Sequence, residues 1–243
     1  MIPQELLVAL VALLAGTIAA ISGFGIGSLL TPLFAAWLGT KVAVAAVAIP
    51  HFVATAYRFW LQRANVDRRI LMSFGLTSAA GGLVGALLHA SVSNPSLTLI
   101  FGILLVFVGG MGLTGLAEKV RFSGWRAWLA GAVSGFLGGL VGNQGGLRSG
   151  AMLGFDVSKA AFIATATATA LLVDAARLPV YLVTQGADIL RNWPLVLIAT
   201  IGALLGTVAG TSLFRQIPGP LYRRIVSMII LALGVFMLTM TSG

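Results

Sequence analysis

The composition of this 243-residue chain excludes a soluble globular domain. Hydrophobic residues make up 58% of it and charged residues 9%, whereas about a quarter of the residues in a soluble domain are charged. Most of the basic residues behind the net charge of +9 lie in short connections, where they orient a membrane protein and do not indicate nucleic-acid binding. Cysteine is absent and there are two histidines, so disulfides, thiol catalysis and a catalytic metal centre are not expected.

Apolar runs of about 20 residues without strand-like alternation predict membrane helices. In chain order, the predicted segments are 5–22, 26–38, 41–61, 70–90, 96–117, 125–142, 147–155, 159–183, 193–214 and 221–241. Leu29–Leu38 and Leu147–Phe155 are too short to span a bilayer at 1.5 Å per residue, so each is interpreted as the returning arm of a hairpin. We therefore expect an all-α polytopic membrane protein with about eight to ten membrane segments.

The two halves of the chain resemble each other. Three correspondences occur in the same order. The first is between Ala15-Gly16 followed by Ser22-Gly23-Phe24 and Ala130-Gly131 followed by Ser134-Gly135-Phe136. The second is between the pair Lys41 and Arg58 and the pair Lys159 and Arg177, and the third is between Gly81–Gly85 and Gly202–Gly206. The offset is close to half the chain, which predicts two transmembrane repeats, residues 1–118 and 119–243. Each repeat would contain one broken, re-entrant hairpin and three spanning helices.

Basic residues cluster in three connections and predict the orientation. The clusters are Arg63, Arg68 and Arg69; Lys119, Arg121 and Arg126; and Arg215, Arg223 and Arg224. Positive-inside bias assigns all three to the cytoplasm, so both termini and Lys41 are expected outside. Each repeat crosses the membrane an odd number of times, so the second repeat is inverted relative to the first. The two hairpins are then expected to enter from opposite faces of the membrane and meet near its midplane. Arg58, near the end of its helix, is expected to extend to the interface, where Trp60, Trp125, Trp128 and Trp193 would act as anchors.

Two glycine-rich interruptions break the apolar sequence. They are Ser22–Gly27 and Gly138–Gly146, and Arg148 follows the second directly. Broken helices persist at membrane depth only inside protein or along a watery cavity, and an intramembrane guanidinium indicates a functional site. Helix N-termini, backbone amides and an arginine fork are the donors that an anion needs. The alternative is that Arg148 is a structural pin on carbonyl groups of the first half, and that the first break serves close helix packing.

The candidate site residues follow from these breaks. The predicted substrate-binding residues are Ser22, Gly23, Phe24, Gly25, Ser28, His51, Asn143, Gln144, Gly145 and Arg148. His51 follows Pro50 near the middle of its helix and either makes an interhelical hydrogen bond, donates to the anion or carries a coupling proton. Asp174 and Arg177 share one helix face, so they are expected to pair, with ion coupling or gating as the alternative role.

The pattern Ala15-Gly16, Ser22–Gly27 and Pro32, with the second-half motif Ala130-Gly131 and Ser134–Gly139, resembles the TauE/SafE family of sulfite exporters. The resemblance covers essentially the whole chain. It implies transport of sulfite or short-chain sulfonates such as sulfoacetate across a bacterial inner membrane. This chain departs from the commoner pattern at Asn143–Arg148, whose polar residues are expected to bear on the choice of substrate.

We therefore expect a secondary transporter, an exporter by the family resemblance, that works by alternating access around a midplane anion site. An anion channel that uses the same breaks as a filter is the main alternative, and a membrane scaffold subunit is another. An enzyme is not expected, because the two histidines and six acids are scattered along the chain. The expected partners are the small anion and membrane lipid, without cofactor, metal or nucleic acid; a homodimer is one option for the assembly.

Overall fold

The computed structural model describes residues 3–23, 25–116, 124–143, 145–152, 155, 157–213 and 219–240. These residues form ten main helices, which follow the ten predicted segments closely. They are α1 Gln4–Ser22, α2 Ile26–Leu38, α3 Thr40–Gln62, α4 Arg68–Ser91, α5 Asn94–Thr114, α6 Trp125–Val141, α7 Gly145–Met152, α8 Lys159–Arg191, α9 Trp193–Leu213 and α10 Gly219–Thr239. A single 3₁₀ turn, Arg63–Asn65, connects α3 to α4.

The chain is a polytopic helical membrane protein. Five of the helices described (α3, α4, α5, α8 and α9) are long and apolar enough to cross a membrane. Large apolar side chains point outward along them, for example Leu87 at 57% exposure and Ile103 at 54%, which suits a lipid environment. Trp60, Trp125 and Trp193 are exposed at helix ends, where interface anchors were expected.

Helix α8 is longer than the sequence predicted. The polar residues from Thr184 onward suggested an end at 183, but the helix continues for 33 residues to Arg191. Polar residues are compatible with a helix that extends into water, and Asp188 and Arg191 pair on its exposed surface at 3.8 Å. The helix ends where the Asn192 side chain donates to the Asp188 carbonyl oxygen at 2.9 Å, two residues before Pro194.

Small residues let the helices pack at backbone distance. A Cβ atom at Gly139 of α6 would lie 1.9 Å from the carbonyl oxygen of Gly82 on α4. On the other side of the bundle, a Cβ at Gly206 of α9 would lie 2.0 Å from the carbonyl oxygen of Leu13 on α1. Such contacts are the usual way in which helices associate in a bilayer. They fix α4 against α6 and α1 against α9.

The packing has the pattern of two inverted repeats. Helix α1 packs on α9 and its counterpart α6 packs on α4; α3 packs on α8, and α5 on α10. The counterparts α5 and α10 run antiparallel, because Gly102 contacts Leu238 while Gly112 contacts Ser227. A two-fold axis perpendicular to the helices relates equivalent helices that lie antiparallel. This is the arrangement of inverted repeats. The division into residues 1–118 and 119–243 stays a prediction.

One expected correspondence differs in the structure. The sequence pairs Ser22-Gly23-Phe24 with Ser134-Gly135-Phe136, but Gly135 lies inside α6, where a Cβ would be 1.9 Å from the Ser78 carbonyl oxygen. The second-half residue that ends its helix as Gly23 ends α1 is Gly142. Glycine serves both helix packing and helix breaks, and the sequence pattern alone does not separate the two uses.

Candidate functional site

The two outgoing hairpin arms end in the same turn. Gly23 closes α1 with φ 79° and Gly142 closes α6 with φ 76°, a left-handed conformation that favours glycine. Each of these glycines donates its amide to the carbonyl oxygen four residues earlier, Ala19 or Gly138, at 3.0 Å. The returning arms α2 and α7 begin directly after these turns, so their first amides lie beside the breaks.

The tips of the two hairpins are in contact. Arg148 on α7 donates from Nη2 to the carbonyl oxygen of Gly23 at 3.0 Å. Gly27 at the start of α2 approaches Gly142 so closely that a Cβ there would lie 2.6 Å from the Gly142 carbonyl oxygen. The meeting of the hairpins that the sequence predicted is therefore present.

Arg148 is both a pin and an unsatisfied donor. Its side chain is 1% exposed, and the bond to Gly23 is the contact expected if Arg148 acts as a structural pin on a carbonyl group of the first half. Nε and Nη1 of the same guanidinium, however, have no hydrogen-bond partner in the described part of the chain, and neither does Nδ2 of the buried Asn143. Leaving a buried charged donor unpaired is costly, so these atoms require a further explanation.

Helices α3 and α8 bring together a histidine, an aspartate and an arginine. Arg177 binds Asp174 through Nε at 3.0 Å and Nη2 at 2.8 Å, which confirms the predicted pair. His51 Nδ1 lies 2.6 Å from the other carboxylate oxygen, so this histidine makes an interhelical contact. All three side chains are buried.

The expectation that Arg58 extends to the membrane interface is wrong. Its side chain is 3% exposed and donates from Nη1 to the carbonyl oxygen of Ala19, near the end of α1. The Ala19 carbonyl oxygen already accepts the Gly23 amide, so Arg58 binds its second lone pair, at the negative end of the α1 dipole. Arg177 does the same at the end of α6, where its Nη1 donates to Gly138 at 2.6 Å. In both cases the arginine lies 39 residues after its acceptor, so the two bonds are counterparts in the two halves.

Two further side chains cap the end of α6, and the sequence analysis missed both. The Tyr181 hydroxyl donates to the carbonyl oxygen of Gly139, and His89 Nδ1 lies 2.7 Å from the carbonyl oxygen of Leu140. With Arg177 on Gly138, three consecutive carbonyl groups are bound by buried side chains. Tyr181 was open to detection, because it lies four residues after Arg177 on the same helix face.

The site carries an excess of positive charge. Arg148 interacts electrostatically with Arg58, Arg177 and Asp174, so three guanidinium groups share one carboxylate. The other acids in the described ranges lie at helix ends, outside this cluster: Glu5, Asp67 and Asp188. Buried charge of one sign needs a counter-ion, and an anion between the tips would supply it.

The sequence pattern of the sulfite exporter TauE/SafE family matches residues 8–237. The chain belongs to this family. The family is one of membrane transporters of the sulfite and sulfonate type, which agrees with an expected function in transport and not in catalysis. No curated protein sequence matches the chain, and no solved structure does either.

In this TauE/SafE chain, the remaining site residues lie along the two breaks. Gly25, Ser28 and Gly145 are buried at the starts of the returning arms. Phe24 and Gln144 lie outside the described residues, as does the side chain of Ser22. Across the ranges that are described, no group of three or more histidine, cysteine, aspartate or glutamate side chains is placed to hold a metal ion.

Proposed function

We propose that this TauE/SafE protein is a secondary transporter that exports a small sulfur-containing anion, a sulfonate such as sulfoacetate or sulfite. The observation that carries the proposal is that Nε and Nη1 of Arg148 have no hydrogen-bond partner among the described residues, at the point where the two hairpin tips meet. A sulfonate or sulfite group presents several anionic oxygens, and Nε and Nη1 of Arg148, whose N–H groups point away from different edges of the guanidinium, are both free to donate to such an oxygen. The Nδ2 atom of Asn143 adds a neutral donor.

Backbone donors complete the proposed site. The 13-residue helix α2 begins at Ile26 and the 8-residue helix α7 begins at Gly145, and the first amides of a helix have no partner within it. Both helices start at the tips, so the positive ends of their dipoles favour an anion there. The proposed ligand therefore exchanges its water shell for two helix N-termini, the Arg148 guanidinium and the Asn143 amide.

Alternating access fits the burial of the cluster better than a channel does. Arg148 is 1% exposed, Arg177 2% and Asp174 0%, so the ligand site is closed from solvent. An inverted pair of repeats supports two related states, each open to one side, around a site that stays in place. A channel would instead need a continuous water path through the same atoms.

The proposed gate is the ion pair of Asp174 and Arg177. Arg177 joins two elements, because it binds Asp174 on its own helix α8 and the Gly138 carbonyl oxygen at the end of α6. A change at Asp174, through His51 or a bound ion, would therefore alter how firmly the second hairpin is held. Breaking a buried pair leaves an uncompensated charge, so such a change costs enough to separate two states.

The proposed location is a bacterial inner membrane, with both termini outside. The basic side chains of Arg63, Arg69 and Arg126 are exposed at helix ends that positive-inside bias assigns to the cytoplasm. Export is the direction that membership of a sulfite exporter family favours.

Counterflow in proteoliposomes tests the function. The purified chain is reconstituted with unlabelled sulfoacetate or sulfite inside, and uptake of the labelled anion from a dilute outer solution is followed. A carrier exchanges label against the internal pool, so uptake is stimulated by internal anion, and Arg148→Ala abolishes it. Uptake that is fast and indifferent to internal anion would indicate the channel, and no uptake of any sulfur anion would overturn the proposal.

A further inference from the structure

Arg58 has a place in the site that the proposed function does not use. Its Nη1 binds the Ala19 carbonyl oxygen, and Arg148 Nη2 binds the Gly23 carbonyl oxygen. These two acceptors belong to one turn, because the Gly23 amide donates to Ala19 at 3.0 Å. Guanidinium groups from α3 and α7 therefore converge on the same end of α1.

The two arginines differ from Arg177 in how their charge is balanced. Arg177 contacts Asp174 at 2.8 Å and forms a neutral pair with it. No acidic side chain of the described ranges lies within ion-pair distance of Arg58 or Arg148, although both feel Asp174 at longer range. Asp174 is already shared by Arg177 and His51. Among the described residues, two positive charges are therefore left without a counter-charge at the end of α1.

Unpaired polar atoms occur beside both of these charges. Nε of Arg58 has no hydrogen-bond partner in the part of the chain that is described, as is true of Nε and Nη1 of Arg148. The same holds for the hydroxyl of Thr55, which is 0% exposed and lies three residues before Arg58 on the same face of α3. These atoms are donors in buried surroundings, which is the arrangement of a ligand site and not of a packed core.

We propose that Arg58 is a second ligand-binding cation and that the site consequently selects divalent anions over monovalent ones. The inference rests on the proposed function and adds the charge class of the substrate. A dianion, such as a sulfonate that also carries a carboxylate, balances both guanidinium groups. A monovalent sulfonate leaves one of them buried without a counter-charge, and that is unfavourable.

Two ligands of similar size separate the charge classes. Sulfoacetate is divalent at neutral pH, whereas isethionate carries a hydroxymethyl group in place of the carboxylate and is monovalent. Titration calorimetry of the purified full chain in detergent measures Kd for both anions in the wild type, Arg58→Gln and Arg58→Lys. We expect the wild type to bind sulfoacetate at least about tenfold more tightly than isethionate, a ratio that Arg58→Gln reduces to about one and Arg58→Lys retains.

The comparison of ratios keeps the inference separate from folding and from the proposed function. A variant that merely loosened the structure would weaken both ligands alike, so an unchanged ratio in Arg58→Gln overturns the inference. Equal binding of the two anions by the wild type overturns it as well and leaves the proposed function standing. If the wild type bound neither anion, the inference would fall, whereas the proposed function would fall only if the counterflow assay also showed no uptake of sulfite. Arg191→Gln, on a side chain that is 79% exposed, is the matched control and should keep the wild-type ratio.

Discussion

Arg148 on the second hairpin donates to the carbonyl oxygen of Gly23 on the first hairpin across 3.0 Å. One nitrogen of the guanidinium thus joins the two halves of the molecule, while Nε and Nη1 have no hydrogen-bond partner among the described residues. The structural and functional interpretations of this residue are therefore compatible. A pin that fixes the guanidinium also preorganises it, which lowers the entropic cost of binding.

Replacing Arg148 should remove ligand binding before it removes the fold. Arg148→Ala deletes the guanidinium charge and at least one charge-assisted hydrogen bond to the anion, worth about 1.5–3 kcal/mol, so the affinity should fall by about tenfold or more. Arg148→Lys keeps the charge without the planar guanidinium, so its affinity should lie between those of the wild type and Arg148→Ala. Calorimetry with sulfoacetate measures the change, and Arg191→Ala is the control. Wild-type affinity in Arg148→Ala would contradict the site.

Asp174 and Arg177 should couple strongly in stability. Asp174→Asn leaves Arg177 buried without a counter-charge, and Arg177→Gln leaves Asp174 with His51 alone, so each variant should lower Tm clearly, by up to about 3–5 kcal/mol of stability. The double variant leaves neither charge and should lose less stability than the two single losses together. Thermal unfolding in detergent gives all four values. If the stability lost in the double variant equalled the sum of the two single losses, the observed 2.8 Å contact would contribute no coupling energy.

Glycine contacts between helices predict a position-dependent effect of one methyl group. Gly139→Ala would place a Cβ 1.9 Å from the Gly82 carbonyl oxygen and should destabilise the protein by about 1–3 kcal/mol through overpacking. Gly110 also lies within a helix, but no atom lies within 4 Å of a Cβ built there. Gly110→Ala is therefore the matched control and should be neutral or slightly stabilising. The same Tm for both variants would argue against the close packing of α4 and α6.

The proposed orientation is open to a labelling experiment, because the chain has no cysteine of its own. Arg69 lies at the start of α4 and Ser91 at its end, 22 positions apart, which corresponds to about 33 Å of helix. A membrane-impermeant maleimide on intact cells should label Ser91→Cys, whereas Arg69→Cys should require permeabilised cells. Arg191→Cys and Arg126→Cys are a second pair with the same respective outcomes. Labelling in the reverse sense would place the termini in the cytoplasm.

Local patterns in the sequence predicted most of the fold. Hydropathy indicated the ten helices because burial in lipid requires long apolar runs, whatever the tertiary contacts are. The pair of Asp174 and Arg177 was also predictable, since a spacing of three residues places both side chains on one helix face.

Contacts between distant segments were not predictable in this way. His51 and Asp174 are separated by 123 residues, and no local pattern identifies one as the partner of the other. Arg58 was misplaced because its depth depends on where α1 ends, and α1 ends inside the protein beside α3. The polar caps of α6 depend in the same way on the packing of α4 and α8 around a helix end.

The decisive measurement for the anion site is a structure of the protein with sulfoacetate bound. We expect density for the sulfonate between the two hairpin tips, with its oxygens within hydrogen-bond distance of Nε or Nη1 of Arg148 and of Nδ2 of Asn143. Density for the ligand at another place, with Nε and Nη1 of Arg148 still without a partner, would contradict this assignment of the site.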